Sequence, residues 1–448
     1  MSNTELTSSG VASFEQGWQD GHHPWAAVKE VFAVTLGNGL EFYDFIVYGF
    51  FAVTIGQLFF PTHNPWASLL LSIATFSLGF LMRPLGSVVL GHYADNHGRK
   101  AALTLIIGLM GLGTLAVACA PTWDQVGFWG PLVLLVGRLL QGFSAGGEVG
   151  ASTTYLMEEG AAKQRGFRVS FQMASQGFAM LLGSAVGLTI TKLLTHEQIM
   201  SWGWRLPFLL GLLIVPVGIY IRRQLDEHYE APVKKREIPV VELLKHHKRE
   251  MILGILMIMK ITTGVYLVSL FMPTYLTTVL HRSSTVAYEL SLTCGILTTF
   301  IPPLGGLLAD RFGRRKPMLV TLTILSLCMV FPLYLTLNYA TQPIFWFMAI
   351  IADQIITNLS YAVFFLLLME VFPRHVRASG LAIVYSFGVT LFGAFAQFNV
   401  TWLIAKTGNP LSPAWYLFIA IAVSLVALLM YREGQHESVV MEKNNVTA

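Results

Sequence analysis

Charge is scarce in this sequence. Asp, Glu, Lys and Arg make up 12% of its 448 residues, about half the roughly 25% of a soluble domain. A water-soluble core wrapped in a polar shell is therefore excluded, and domains cannot be counted from length. Cysteine is rarer still. Cys119, Cys294 and Cys328 lie in or at the end of apolar runs without CxxC spacing, which speaks against a disulfide framework or a zinc site and reads them as small core residues. No nucleotide-binding loop, metal-ligand cluster or nucleophile constellation is found, so no enzyme activity, cofactor, metal or nucleic-acid partner is expected. Residues 1–24 are polar, with Glu5, Glu15 and Asp20 and no apolar stretch, and are expected to form a tail rather than a cleaved leader.

Long hydrophobic runs are what the chain has instead. Hydrophobic residues are 54% of the total and the mean hydropathy is +0.60, the signature of a polytopic membrane protein. Runs near 29–58, 66–92, 101–120, 131–156, 168–193 and 203–222 each reach the ~20 residues that a bilayer core demands. A polar stretch with eight bases between Arg222 and Arg249 follows, with a short amphipathic helix expected around Val240 to His247. Six further runs lie near 251–280, 287–309, 317–337, 343–369, 378–404 and 412–431. The expected organisation is a tail (1–24), a six-helix bundle (25–222), a linker (223–250), a second six-helix bundle (251–431) and a tail (432–448). With both termini cytoplasmic, 22 of the 29 Lys and Arg fall on the inner side, as positive-inside topology requires.

The two bundles are related by a repeat. Gly91-His92-Tyr93-Ala94-Asp95-Asn96-His97-Gly98-Arg99-Lys100 returns 215 residues later as Gly306-Leu307-Leu308-Ala309-Asp310-Arg311-Phe312-Gly313-Arg314-Arg315. Glu158 and Arg165 recur as Glu370 and Arg377 with the same seven-residue spacing. Gly91, Asp95, Gly98, Arg99, Glu158, Arg165, Asp310, Gly313, Arg314, Glu370 and Arg377 are therefore expected to form a cytoplasmic latch that breaks when the halves move apart.

The doubled G-x-x-x-D-x-x-G-R loop resembles the signature of the major facilitator superfamily, and Arg138-Leu139-Leu140-Gln141-Gly142 resembles its fourth-helix motif. Leu40-Glu41-Phe42-Tyr43-Asp44-Phe45, Met82-Arg83-Pro84-Leu85-Gly86 and the run from Gly137 to Glu148 are similar to the metabolite:proton symporter family within it. That family carries citrate, other di- and tricarboxylates, 2-oxoglutarate, shikimate, proline and betaine. The resemblance implies an all-α fold of twelve transmembrane helices in two pseudo-symmetric six-helix bundles. It also implies alternating access, with the first, fourth, seventh and tenth helices around a central cavity. The implied setting is a bacterial inner membrane, and the expected unit is a monomer.

Seven ionisable residues fall well inside the runs: Glu41, Asp44, Arg83, Arg138, Glu148, Lys260 and Asp353. Each costs about 2.5–3.5 kcal/mol or more at the bilayer centre, so they are expected to face a cavity or one another. Six of the seven lie on the first, fourth, seventh and tenth helices. At 1.5 Å rise per residue, Asp44, Arg138, Lys260 and Asp353 come near mid-membrane. Asp44 is expected to meet Arg138, and Lys260 to pair with Asp353 or to hold substrate. By analogy with proton-coupled sugar transporters, the resemblance implies coupling by Asp44 and Arg138, with Glu41 and Glu148 as competing proton sites. Substrate contacts are expected from Arg83, Arg138, Lys260, Gln172, Gln176, Tyr266, Asp353 and Asn358. Four carboxylates against three bases leave one formal negative charge within the membrane, so adding a substrate anion is cheapest when protons accompany it. The expected function is proton-coupled import of a small organic acid such as citrate. The alternatives are a zwitterion importer of the proline or betaine kind and, from another class, a channel.

Overall fold

A computed structural model describes residues 41–97, 99–146, 164–223, 245–373 and 376–431, together with Thr35, Asn38, Gly39, Thr153, Leu156, Met157 and Leu243. Every regular element among the described residues is helical. In chain order they are α1 (Glu41–Phe50 with Ala52–Phe59), α2 (Pro65–His97), α3 (Arg99–Ala118), α4 (Trp129–Ala145), α5 (Arg165–Leu193) and α6 (Leu206–Arg223). The second half follows with α7 (Lys248–Gly264, continued by Val265–Leu270), α8 (Ser284–Phe312), α9 (Arg315–Tyr339), α10 (Pro343–Val371), α11 (Arg377–Gly388 through Thr407) and α12 (Ser412–Met430). Among the described residues eight helices are long and apolar enough to cross a membrane alone, nine if the two parts of α1 are one span. With no water in the hydrocarbon to satisfy backbone groups, helix is what such runs must form.

One departure from the sequence reading stands out. The first run is not one straight helix, because its two parts meet at Phe51 with a 68° bend. Pro84 lies inside α2, and Pro302 and Pro303 inside α8, with helix on both sides of each. The anticipated linker helix falls largely outside the described residues; of Val240 to His247 only Leu243, Lys245 and His246, which are helical, and His247, which is not, are described.

Within each half the helices approach closely. At the α2–α4 crossing a Cβ on Gly142 would come 1.7 Å from the Gly79 carbonyl oxygen, so only glycine permits that contact. The halves meet along α5–α8 and α2–α11. From α2, Ser77 Oγ donates to the Ala394 carbonyl at 2.6 Å, and from α11 Thr390 Oγ1 donates to the Phe80 carbonyl at 3.1 Å. The cysteines divide: Cys294 is core, as expected, whereas Cys119 and Cys328 are exposed and face outward from the bundle.

Candidate functional site: buried polar networks at and beside the seam

Asp44 and Glu41 are three residues apart on α1, one turn along the same face. Both are buried. Asp44 points into the first half, where the Thr114 hydroxyl from α3 donates to Oδ2 and Gln141 Nε2 from α4 donates to the same oxygen at 3.0 Å. Gln141 Oε1 in turn accepts from Arg138 Nη1 at 2.7 Å. The direct Asp44–Arg138 pair expected from sequence is therefore replaced by a bridge, because Gln141 sits one helical turn after Arg138 and reaches between them. The Arg138 guanidinium lies 3.8 Å over the Tyr48 ring, and its Nε and Nη2 have no hydrogen-bond partner.

Glu41 turns toward the seam. Its Oε1 accepts from Arg83 Nη2 at 3.0 Å, a pair 3% and 1% exposed. Arg83 also stacks over Phe80 at 4.3 Å and Phe45 at 4.9 Å, and its Nε lacks a partner. From the other half, Tyr266 on α7 and Tyr385 on α11 stand close enough to feel both charges. Gln176 on α5 approaches Tyr385 and keeps Nε2 unpartnered. Among the described residues this cluster is the one place where side chains expected to bind substrate from both halves converge.

The remaining candidates are elsewhere. Lys260 does not pair with Asp353: among the described residues no carboxylate comes within the 4.0 Å of an ion pair. Its Nζ donates instead to Thr323 Oγ1 (3.4 Å) and Ser360 Oγ (3.3 Å), in a small pocket between α7, α9, α10 and α12. It therefore faces the interior of the second half rather than the seam. Asp353 is contacted by Gln354 Nε2 at 3.5 Å, and Gln354 Oε1 accepts from Asn358 and Thr298. Gln172 lends its backbone carbonyl to Asn38 Nδ2 at 3.0 Å. Glu148 lies outside the described residues.

At one end of the seam Asp310 crosses between the halves. Its Oδ1 and Oδ2 accept from the backbone N–H groups of Gly166 (2.7 Å) and Phe167 (2.9 Å), the first turn of α5, where orphan donors and the helix dipole favour an anion. A Cβ on Gly166 would lie 2.6 Å from the Gly306 carbonyl oxygen, so glycine on both helices allows the approach. Gly313 ends α8 with φ +68°. Two further latch candidates make contacts inside the second half. Glu370 pairs with Arg315, not with the exposed Arg314, and Arg377 Nε donates to the Met369 carbonyl at 2.9 Å. Arg165 opens α5 and Arg99 opens α3. Gly98 and Glu158 are outside the described residues, as are the side-chain surroundings of Gly91, Asp95 and Arg99. At the opposite end the halves also touch: the Tyr288 hydroxyl donates to the Phe50 carbonyl at 3.4 Å, and exposed Lys192 pairs with Glu289 at 3.6 Å.

Sequence reasoning missed Gln141, Thr114, Tyr385 and Arg315. Gln141 stands in the quoted fourth-helix motif, one turn from Arg138; Thr114 is polar in an otherwise apolar stretch. Tyr385 carried no local signal, whereas Arg315 is the closing base of the second glycine loop.

Residues 34–396 match the Major Facilitator Superfamily model. A citrate-proton symporter of Klebsiella pneumoniae is 36% identical over 91% of this chain and 93% of its own. An alpha-ketoglutarate permease of Escherichia coli is 31% identical over 92% of this chain and 94% of its own. A proline/betaine transporter of the same species is 30% identical over 90% and 83%. The crystal structure of a D-xylose-proton symporter superposes with a TM-score of 0.73 at 20% identity, covering 91% of this chain and 98% of the other. The chain belongs to the Major Facilitator Superfamily, on the metabolite:proton symporter branch its motifs resemble, and is a multi-pass membrane transporter rather than an enzyme.

Proposed function

We propose that this transporter imports a small organic acid, a di- or tricarboxylate such as citrate, together with protons, by alternating access. Its setting is a bacterial inner membrane with both termini cytoplasmic, and the working unit is a monomer. The units that rock are residues 25–222 and 251–431. The citrate-proton symporter and the alpha-ketoglutarate permease support an acidic substrate; the proline/betaine transporter leaves the zwitterion reading to be weighed on chemistry.

The observation that carries the proposal is the state of the buried guanidiniums. Arg138 and Arg83 keep N–H donors without partners while their planes cover Tyr48, Phe80 and Phe45. Those aromatic faces, which a quaternary ammonium would need, are filled by the chain's own cations. What is left open is donor capacity, which suits carboxylate oxygens.

A substrate carboxylate on Arg138 shares that cation with Asp44 through Gln141. Two anions on one guanidinium repel, and a proton on Asp44 removes the repulsion. The loaded, neutralised site then permits the halves to rock, which breaks the Asp310 contact to α5. Gly91, Asp95, Gly98, Arg99, Glu158, Arg165, Asp310, Gly313, Arg314, Glu370 and Arg377 make up the cytoplasmic latch, with Asp310 as the member that spans the halves. Glu41 and Glu148 are the sites that compete with Asp44 for the proton role, and Gln172, Gln176, Tyr266 and Asn358 supply hydrogen bonds to substrate.

The test is Asp44→Asn in proteoliposomes with labelled citrate. Counterflow is expected to persist while concentrative uptake is lost, because the exchange limb needs no net proton movement. Full concentrative uptake by the variant removes Asp44 from the mechanism.

A further inference from the structure

The 215-residue offset that relates the two glycine loops also relates two buried charges of opposite sign. Arg138 on α4 maps onto Asp353 on α10, and Asp44 on α1 maps within one residue of Lys260 on α7. The surroundings map as well. Asp44 is contacted by α3 through Thr114 and by α4 through Gln141; Lys260 is contacted by α9 through Thr323 and by α10 through Ser360. Each half thus carries one titratable side chain on its leading helix, aimed inward at its third and fourth helices. The first half has an acid there with a base nearby, and the second half has the inverse.

The chemistry of the Lys260 pocket argues against a substrate anion. Thr323 Oγ1 donates to the Leu319 carbonyl (2.7 Å), Ser360 Oγ to that of Thr357 (2.6 Å) and Ser424 Oγ to that of Met257 (2.6 Å). With their protons committed to the backbone, these hydroxyls turn only lone pairs toward the pocket. They accept from an ammonium and offer nothing to a carboxylate. The titratable group that bears on Lys260 is Asp353 from α10, and Cys294 from α8, Tyr334 from α9 and Tyr361 from α10 stand about Asp353 rather than about the amine; among the described residues α12 lends the pocket only Ser424 and an apolar side chain. The ammonium is 4% exposed and is compensated by two long hydroxyl contacts and a carboxylate beyond ion-pair distance, a poor bargain for a permanent charge.

We propose that Lys260 is a second proton-carrying site, the charge-inverted counterpart of Asp44, with Asp353 in the place of Arg138. In one limb of the cycle the amine lone pair takes a proton from water to give the ammonium; in the other it returns the proton to water on the opposite side. No other bond changes. This deepens the proposed symport and rests on Asp44 being the first site.

The test needs no substrate. Full-length protein in proteoliposomes on a solid-supported membrane is given a rapid drop in external pH, and the charge displacement is recorded. Asp44→Asn is expected to keep about half of the wild-type transient, since one of two similarly buried single-charge sites remains. Adding Lys260→Arg to Asp44→Asn is expected to abolish it, because arginine stays charged and cannot return a proton. Adding Lys260→Met with Asp353→Asn, which removes both charges together, is expected to do the same. A transient in either combined variant equal to that of Asp44→Asn overturns the proposal, as does its complete loss in Asp44→Asn alone. An unchanged transient in Asp44→Asn instead overturns the role of Asp44. A base needed only for structure is rescued by arginine, so the Lys260→Arg arm separates the two roles.

Discussion

Replacing Asp310 by Ala should unlatch one end of the molecule. The carboxylate makes two hydrogen bonds to the first turn of α5, each worth about 1.5–3 kcal/mol when one partner is charged. The helix dipole adds about 0.3–1 kcal/mol. Asp310 is only partly buried, and in the open arrangement water takes over both N–H groups, so most of that gross value cancels. A net of about 2 kcal/mol remains, which corresponds to about a thirtyfold shift toward the arrangement open at this end. Asn retains one acceptor oxygen without the charge and should shift the equilibrium less. The assay is electron–electron distance measurement between spin labels at Gln164 and Phe312, both exposed at this end on opposite halves, in a background lacking Cys119, Cys294 and Cys328. A second, longer distance population should grow in Asp310→Ala. Distance distributions identical to the parent's would show that the contact stabilises neither arrangement.

Other outcomes follow from the same geometry. Gln141→Leu cuts the bridge between Asp44 and Arg138 and should uncouple citrate flux from the pH gradient while leaving counterflow, read by the ratio of concentrative uptake to exchange. Arg83→Lys keeps the charge but loses the planar stack on Phe80 and Phe45, so KM should rise several-fold with little change in maximal rate. Gly142→Ala places a Cβ 1.7 Å from the Gly79 carbonyl oxygen and should cost about 1–3 kcal/mol as overpacking, seen as a lower melting temperature in detergent. Glu370→Gln leaves buried Arg315 without this carboxylate and should destabilise by about 3–5 kcal/mol, more than Glu370→Gln with Arg315→Met.

Much of this architecture is legible in the chain because the bilayer leaves so few options. The run 343–369 was expected as a helix and Pro343–Val371 is one; the run 412–431 matches Ser412–Met430 equally well. Ends extend past the apolar runs, as at Arg315, because helix continues where polar side chains reach water. The Arg83–Glu41 pair depends on how each helix is rotated about its axis, whereas only depth along a helix can be counted from sequence. That same ambiguity hid the direction of Lys260, which faces α9, α10 and α12 rather than the seam. The Asp310 contact was expected as one of several charge pairs and proves to be a carboxylate on backbone N–H groups, invisible to any count of side chains. Gln141 was passed over because a neutral residue next to a buried arginine attracts no notice until distances show it between two charges.

Uptake of labelled citrate into proteoliposomes holding only this protein, with an imposed inward pH gradient, addresses the central claim most directly. The account predicts accumulation above the external concentration that collapses when a protonophore dissipates the gradient. Citrate flux of equal size with and without the gradient, never exceeding equilibration, contradicts it.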